Sequence, residues 1–470
     1  MARRGFIVVL DVGKSLSKLT LWSPERQMVA RRTRANLSYA ADGFVSLDVP
    51  GITAWLAQGL TEFAGLGDIA AIIPAAHGAA ACLVDAHGLS AAPLDYDAKP
   101  PMDIRRRYQT VRDPFALTGS PCLPGGLNLG AQFYWLEKAA PERMRDAQIL
   151  TWPQYWSWAL CGIAATEVTS LGCHSDLWMP IAGEPSPLAV SRGWAAHLAP
   201  LRQAGEVLGP VSQTWRARCG LPRDCVVLCG VHDSNAALLA ARKYPETAGR
   251  PCTMLSTGTW FIAMRSLAPG VKIDLSSLAE DRDCLVNVDA FGVPIPSARF
   301  MGGRETEILE DGAPIDPGAM EAEMLSLATE VAEADIYAVP AFQNGVGAFP
   351  NIPGGWVQRP ANQIQRRTVA SLYLALMADT SLSLIGSRES LVIEGRFADD
   401  AVFCRALAAL RPDQTIYRSQ VSDNVPLGAL QLIDDRLPPQ AVLNRAVPLD
   451  TDISRYAREW NSLVQARGAA

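Results

Sequence analysis

Phe6-Ile7-Val8-Val9-Leu10-Asp11-Val12-Gly13-Lys14 near one end of this 470-residue chain, and Cys252-Thr253-Met254-Leu255-Ser256-Thr257-Gly258-Thr259 near its middle, decide how the fold is read. Each is an apolar, β-rich run that closes on small polar residues and a glycine. An apolar pattern resumes from Ser17 to Trp22 after Gly13 and from Trp260 to Met264 after Gly258, so each stretch predicts a β-hairpin. Leu10-Asp11-Val12-Gly13-Lys14 and Leu255-Ser256-Thr257-Gly258-Thr259 superimpose register for register, and the chain reads as two related halves. Between them, Arg242 to Pro251 combines charge, Pro and Gly, which sets the expected domains at residues 1–245 and 246–470.

Working outward, further strands fit Ala70 to Pro74, Ala81 to Val84, Cys225 to Cys229 and Leu391 to Glu394. Helices fit Gly130 to Ala139, Pro153 to Leu160, Ser234 to Arg242, Thr368 to Leu384, Asp400 to Leu410 and Ser454 to Gln465. Mixed elements of this kind indicate an α/β protein with buried sheets. Composition agrees: 49% hydrophobic and 19% charged residues are enough for each half to bury its own core without staples.

The formal net charge of −6 argues against a nucleic-acid or anionic-membrane surface, and Arg105-Arg106-Arg107 reads as a solvated face. Met1-Ala2-Arg3-Arg4 before Phe6 to Leu10 imitates a secretion signal, but its apolar part stops at Asp11. No window approaches the ~18 uninterrupted apolar residues of a membrane span. The ten cysteines contain no CxxC pair and read as reduced thiols, so the cytoplasm is the expected compartment.

A glycine turn between strands leaves backbone N–H groups for phosphate oxygens; a plain hairpin with solvated lysines is the competing reading. The chain has six lysines, yet Lys14 and Lys18 both fall in the first hairpin, which favours phosphate contact. Asp11 closes a buried strand, where an unpaired carboxylate is costly. Either Mg²⁺ or an ion pair with Lys14 or Lys18 compensates it. Asp233 follows the apolar run Cys225 to Val231 and His232, at the strand end where α/β sheets place reactive groups. It reads as an acceptor of a hydroxyl proton during phosphoryl transfer or as the N-cap of the following helix.

These residues resemble the FGGY carbohydrate kinases of the sugar-kinase, heat-shock chaperone and actin superfamily, over nearly the whole chain. Asp11 and Gly13 match the family's first phosphate loop, with Lys14 and Lys18 in place of its Thr and Arg; Ser15 lies in the same loop. Ser256, Gly258 and Thr259 match the second, with Thr257 between them, and Leu255 to Trp260 is similar to the rhamnulose-kinase branch. His232-Asp233-Ser234-Asn235 resembles that branch too, with Asp233 on the family's catalytic base. Ala76-His77-Gly78 is similar to the xylulose-kinase sugar loop, and Gln132 to Leu136 resembles the first FGGY signature. Trp152 to Gly162 and Thr166-Glu167-Val168-Thr169 follow the family's sugar-side segment. The adenosine turn is represented by Glu394-Gly395-Arg396-Phe397, where Glu394 would repel an α-phosphate if it pointed inward.

The resemblance implies two ribonuclease-H-like α/β domains closing on a cleft, sugar held by the first and nucleotide mostly by the second. It implies transfer of the γ-phosphate of ATP to a small sugar, a ketose such as L-rhamnulose, L-fuculose or a xylulose-like sugar. Asp233, Lys14 and Lys18 would be catalytic, with Thr259 sharing in charge stabilisation. Mg²⁺ would sit at Asp11 and Asp233. ATP would contact Asp11, Gly13, Ser15, Ser256, Thr257, Gly258, Thr259, Gly395, Arg396 and Phe397. The sugar would contact His77, Gly78, Trp152, Tyr155, His232 and Asp233, although Trp152 and Tyr155 at helical spacing also suit a core. A homodimer is compatible with the family. A chaperone-like or non-catalytic nucleotide-binding member is the alternative. His174 reads as structural, and Arg299 to Arg304 as either a border of the active site or a solvated turn.

Overall fold

The computed structural model describes residues 5–41, 43–311, 314–421, 424–435 and 442–469; the signal-like opening Met1 to Arg4 lies outside them. The chain divides into two compact units, one of Met1–Ala240, Val286–Pro294 and Val425–Leu437, the other of Ala241–Leu285, Ile295–Asn424 and Pro438–Ala470. Among the described residues no helix is long and apolar enough to cross a membrane, and the ten cysteines form no disulfide.

In the first unit the strands are β1 (Phe6–Val12), β2 (Leu16–Trp22), β3 (Met28–Ala35), β4 (Ile69–Ala76), β5 (Val207–Pro210), β6 (Val226–Leu228) and β7 (Val231–His232). They lie in the order β5-β6-β4-β1-β2-β3, with β7 also paired to β4. The predicted hairpin is present: β1 and β2 are antiparallel, with Asp11 opposite Lys18. β4 runs parallel to β1 and to β7, pairing Ala75 with Asp11 and with Val231, and Ala76 with Val12 and with His232. The strand read from Cys225 to Cys229 is present as β6, and a second short strand, β7, follows it. Gly230 lies between them at φ +90°, where an added Cβ would stand 2.6 Å from the Pro74 carbonyl oxygen.

Helix α1 (Val49–Ala64) starts where the Asp48 side chain accepts from Gly51 N at 2.9 Å, and α2 (Trp152–Cys161) ends at left-handed Gly162. Both pack on the sheet through a cluster that includes Val8, Leu10, Leu19, Leu56, Phe63, Ile72 and Trp156. Each such buried side chain contributes about 1.5–3 kcal/mol, so packing holds these helices more than their propensity does. Helix α3 (Asp233–Ala241) leaves the end of β7.

The second unit repeats the plan. Its sheet, of which Val286–Val288 and Pro294 count with the first unit, holds β8 (Cys252–Thr257), β9 (Phe261–Ser266), β10 (Cys284–Val288), β11 (Pro294–Phe300), β12 (Ser390–Gly395), β13 (Ile416–Ser419) and β14 (Leu443–Arg445), in the order β10-β11-β9-β8-β12-β13-β14. Again a glycine hairpin, β8 with β9, has its first strand parallel to a later one, and Thr257 pairs with Gly395 at the end of β12. The main helices are α4 (Gly302–Glu310), α5 (Gln363–Leu384) and α6 (Ala401–Leu410). The tract from Arg299 to Arg304, read as a border or a solvated turn, is neither exposed nor loose. Gly302 and Gly303 start α4 against the second hairpin, where a Cβ on Gly303 would stand 2.3 Å from the Gly258 carbonyl oxygen.

Arg367 on α5 is buried between Asp400 (2.6 Å) and Glu310 (2.7 Å), and Asp400 also caps α6 by accepting from Phe403 N at 2.9 Å. Removing one member of a buried charge group strands the others. Arg367→Met is expected to destabilise the second unit by about 3–5 kcal/mol, lowering its calorimetric transition by on the order of 10 °C. A shift within a degree or two would show that the group is not a net support of the fold.

Candidate active site

Parallel strands that share a direction bring their C-terminal ends to one edge, and three of the selected residues follow from that. Asp11 lies on β1, His77 directly follows β4 and donates its backbone N–H to Val12 O at 3.3 Å, and Asp233 follows β7. Asp11 is 4% exposed, with Lys18 Nζ 3.4 Å from its Oδ2, so the ion-pair reading of Asp11 is realised by Lys18. Lys14 turns the other way, donating to Asp95 and standing 3.2 Å from Asp97.

The hairpin turn itself is held by a residue that the sequence did not reveal. Gly13 N donates to Leu16 O at 3.1 Å, Asn36 Nδ2 donates to Gly13 O at 2.7 Å, and Ser17 Oγ donates to Asn36 Oδ1 at 2.9 Å. Ser15 is exposed, and its carbonyl accepts from Asn36 N at 2.9 Å.

Asp233 begins α3, with a quarter of its side chain exposed. Its Oδ1 accepts from Ser234 N at 2.6 Å and Ser234 Oγ at 3.2 Å and lies 3.2 Å from His232 Nε2. All these contacts fall on one oxygen, so Oδ2 faces none of the described residues as a hydrogen-bond partner. Asp233 is itself the first residue of α3, and its oxygen meets the N–H of the next residue rather than one two or three residues on, so these contacts are not those of an N-cap.

His232 is fixed on every side. Its N–H donates to Thr169 Oγ1 at 2.9 Å, Nδ1 is 3.2 Å from Asn235 Nδ2, and Nε2 is 3.8 Å from Cys173 Sγ. Burial opposes its charge, but Cys173, Asp233 and Glu167 raise its pKa to about 9. Burial alone would push the Cys173 thiol up; His174 and His232 bring it down to about 5 instead. Burial raises Glu167, which accepts from Thr169, to about 7. Gly78 makes this packing possible, since a Cβ there would stand 2.9 Å from Cys173 Sγ and 3.1 Å from His232 Nε2. Cys173 carried no sequence signal, because it lies 59 residues from its partner His232.

Beside this group, His77 is buried with both ring nitrogens lacking a hydrogen-bond partner, and burial holds its pKa down to about 4. The ring stands 5.7 Å edge-on from Tyr96 and 6.3 Å from Trp152, whose Nε1 is also buried and unpartnered. Buried polar atoms without a partner call for one, such as water or a ligand, and among the described residues His77 differs from the other such residues in leaving two of its atoms unmatched. Tyr155 is stacked on Trp152 at 5.6 Å and belongs with it to the sheet core. Its phenol is pushed upward in pKa by burial.

In the second unit the turn after β8 is held by Gly258 N donating to Trp260 O at 3.0 Å, with Thr259 exposed and Ser256 half-buried. Around Gly258 an added Cβ would have nothing nearer than 3.9 Å, so no protein atom crowds the turn there. Thr257 is structural: its Oγ1 donates to Glu394 O and accepts from Phe397 N at 3.1 Å. Gly395, read as a nucleotide approach, serves a tighter need. At φ +83° a Cβ would stand 2.3 Å from the Thr257 carbonyl oxygen. Glu394, expected to repel an α-phosphate if it pointed inward, is buried and accepts from Asn424 Nδ2.

Phe397 is packed on Phe261, with the exposed Arg396 guanidinium 4.8 Å from its ring centroid. Both border a cavity of about 660 Å³ lined also by Thr306, Glu310, Ile315 and Arg367. Among the described residues no group of three or more His, Cys, Asp and Glu side chains is assembled to hold a metal.

Residues 249–441 match the model of the carbohydrate kinase FGGY C-terminal domain. No curated protein matches the chain. Among solved structures, a carbohydrate kinase from Novosphingobium aromaticivorans is 45% identical, with 97% of this chain and 100% of that one covered and a TM-score of 0.88. The ligand-bound xylulose kinase of Lactobacillus acidophilus is 14% identical (99% and 98% covered, TM-score 0.79). Plasmodium falciparum glycerol kinase with ADP is 12% identical (98% of both chains, TM-score 0.76), and at such identities the likeness is one of fold. With 45% identity over nearly its whole length, this chain belongs to the FGGY carbohydrate kinases and has their two ribonuclease-H-like domains.

Proposed function

We propose that this sugar kinase transfers the γ-phosphate of ATP to a hydroxyl of a small ketose such as L-rhamnulose, L-fuculose or a xylulose-like sugar. One observation carries the reading: Asp233 keeps one carboxylate oxygen unengaged at a strand end of the unit that also buries the unpartnered polar atoms of His77 and Trp152. A sugar presents hydroxyls that can satisfy both imidazole and indole, and a carbon face that suits the surrounding rings. The ketose preference rests on the strings His232-Asp233 and Gly258-Thr259-Trp260.

Asp233 Oδ2 accepts the hydroxyl proton as the sugar oxygen bonds to the γ-phosphorus and the bond from that phosphorus to the β,γ-bridging oxygen breaks. Ser234 and His232 hold the other oxygen, which fixes the carboxylate for that transfer. Backbone N–H groups of the turns at Gly13 and Gly258 suit phosphate oxygens, and the cavity beside Arg396 and Phe397 suits the nucleoside. Mg²⁺ needs only one or two carboxylates and fills the rest of its shell with water and phosphate, so Asp11 fits it without a protein cage. Bound there it would neutralise phosphate charge.

The purified protein with Mg·ATP is expected to release ADP with one ketose of a panel of ketoses, aldoses and polyols. Asp233→Ala should lower that rate about 10²–10⁴-fold, the usual reach of a general base. ATP binding without release on any sugar would overturn the reading in favour of a non-catalytic nucleotide-binding protein.

His77 supplies a pH test. Its folded pKa of about 4 lies below the ordinary 6.5, so the unfolded chain takes up this proton more readily than the folded one. The stability tied to its neutral form is complete above pH 6.5, declines as the pH falls below that and levels off near 4. The thermal midpoint of the wild type should fall more steeply over this window than that of His77→Gln; equal slopes would show that His77 is not held neutral.

A further inference from the structure

Lys14 belongs by position to the first phosphate turn, but its ammonium is committed elsewhere. Nζ donates to Asp95 Oδ1, lies 3.2 Å from Asp97 Oδ2 and sits 4.6 Å from the centroid of the Tyr96 ring. Asp95 is 1% exposed, and its second oxygen accepts from Ser38 Oγ. Oδ1 also accepts from Asp97 N at 2.8 Å, closing an Asx turn around Tyr96. Burial would raise the Asp95 pKa, but Lys14, Ser38 and the Asp97 N–H hold it below the ordinary value. Among the described residues Lys14 is the cation paired with Asp95.

Tyr96 is buried between these two aspartates. Its carbonyl accepts from Gly126 N at 2.9 Å, and its ring meets His77 edge-on. Lys14, Asp95, Tyr96 and His77 therefore form one contact chain from the first hairpin to the unpartnered imidazole. An ammonium shared by two carboxylates has little field left for a phosphate. Taking it away leaves Asp95 a buried charge without its counter-ion, held only by Ser38 and the Asp97 N–H, a strain that a shift of the 95–97 turn would relieve.

We propose that Lys14 is a positioning residue for the sugar: by pairing with Asp95 it pins the turn that carries Tyr96 against His77, and so sets sugar affinity rather than phosphate binding. The inference rests on the assignment of His77 to the sugar site. It differs from the sequence expectation, which put Lys14 on the transferring phosphate.

The test compares wild type, Lys14→Met, Asp95→Asn and the double variant. It uses whichever of L-rhamnulose, L-fuculose and D-xylulose the wild type phosphorylates, reading sugar Kd by calorimetry without nucleotide, KM for sugar and for ATP, and kcat. Lys14→Met is expected to raise sugar Kd and KM at least tenfold while ATP KM stays within twofold. The double variant, which removes both charges, should recover most of the sugar affinity and remains readable if the single variant fails to fold. A rise in ATP KM or a fall in kcat at unchanged sugar Kd would overturn the proposal in favour of a phosphate contact. Unchanged constants throughout would reduce the pair to packing and overturn it equally. A wild type that binds and phosphorylates no sugar would remove the kinase reading and this inference together; an active wild type with an unaffected Lys14→Met removes this inference alone.

Discussion

Parallel pairing of β4 with β1 on one side and with β7 on the other is the constraint on which the first unit's chemistry depends. Parallel neighbours end at the same edge, so Asp11, His77 and Asp233, 222 residues apart from first to last in the chain, meet there because of strand direction. The second unit applies the same rule when β8 runs parallel to β12, setting the Gly258 turn beside Gly395. In each unit the hairpin partner is antiparallel, which returns the chain away from that edge and leaves the glycine turn at it.

Burial then decides what each polar group can do. His77 is kept neutral because no partner offsets the loss of water, whereas His232 is kept charged because Cys173, Asp233 and Glu167 outweigh the same loss. Two neighbouring imidazoles are thereby driven in opposite directions. The neutral one can both donate to and accept from a hydroxyl, while the charged one steadies a carboxylate. Arg367 shows the other resolution of burial, a charge neutralised by Asp400 and Glu310 in a purely structural role.

The glycines divide by what they spare. Gly78, Gly303 and Gly395 are required because protein atoms already occupy the place of a side chain, whereas Gly258 opens onto space. The sequence pattern alone treats both alike and does not show that Gly395 meets the Thr257 carbonyl.

By itself the sequence determined the two glycine hairpins, their related halves, and the strand-end carboxylates Asp11 and Asp233, because alternation, turn chemistry and the cost of burying charge act over a few neighbouring residues. Only the tertiary structure decided which lysine pairs with Asp11, since Lys14 and Lys18 fit that role equally along the chain and differ in the direction that strand pairing gives them. The partnership of Cys173 with His232, the turn of Glu394 toward Asn424, and the reach of Lys14 to Asp95 were likewise decided there. Those contacts join residues 30 to 81 positions apart, where no local periodicity links the partners and only packing chooses between them.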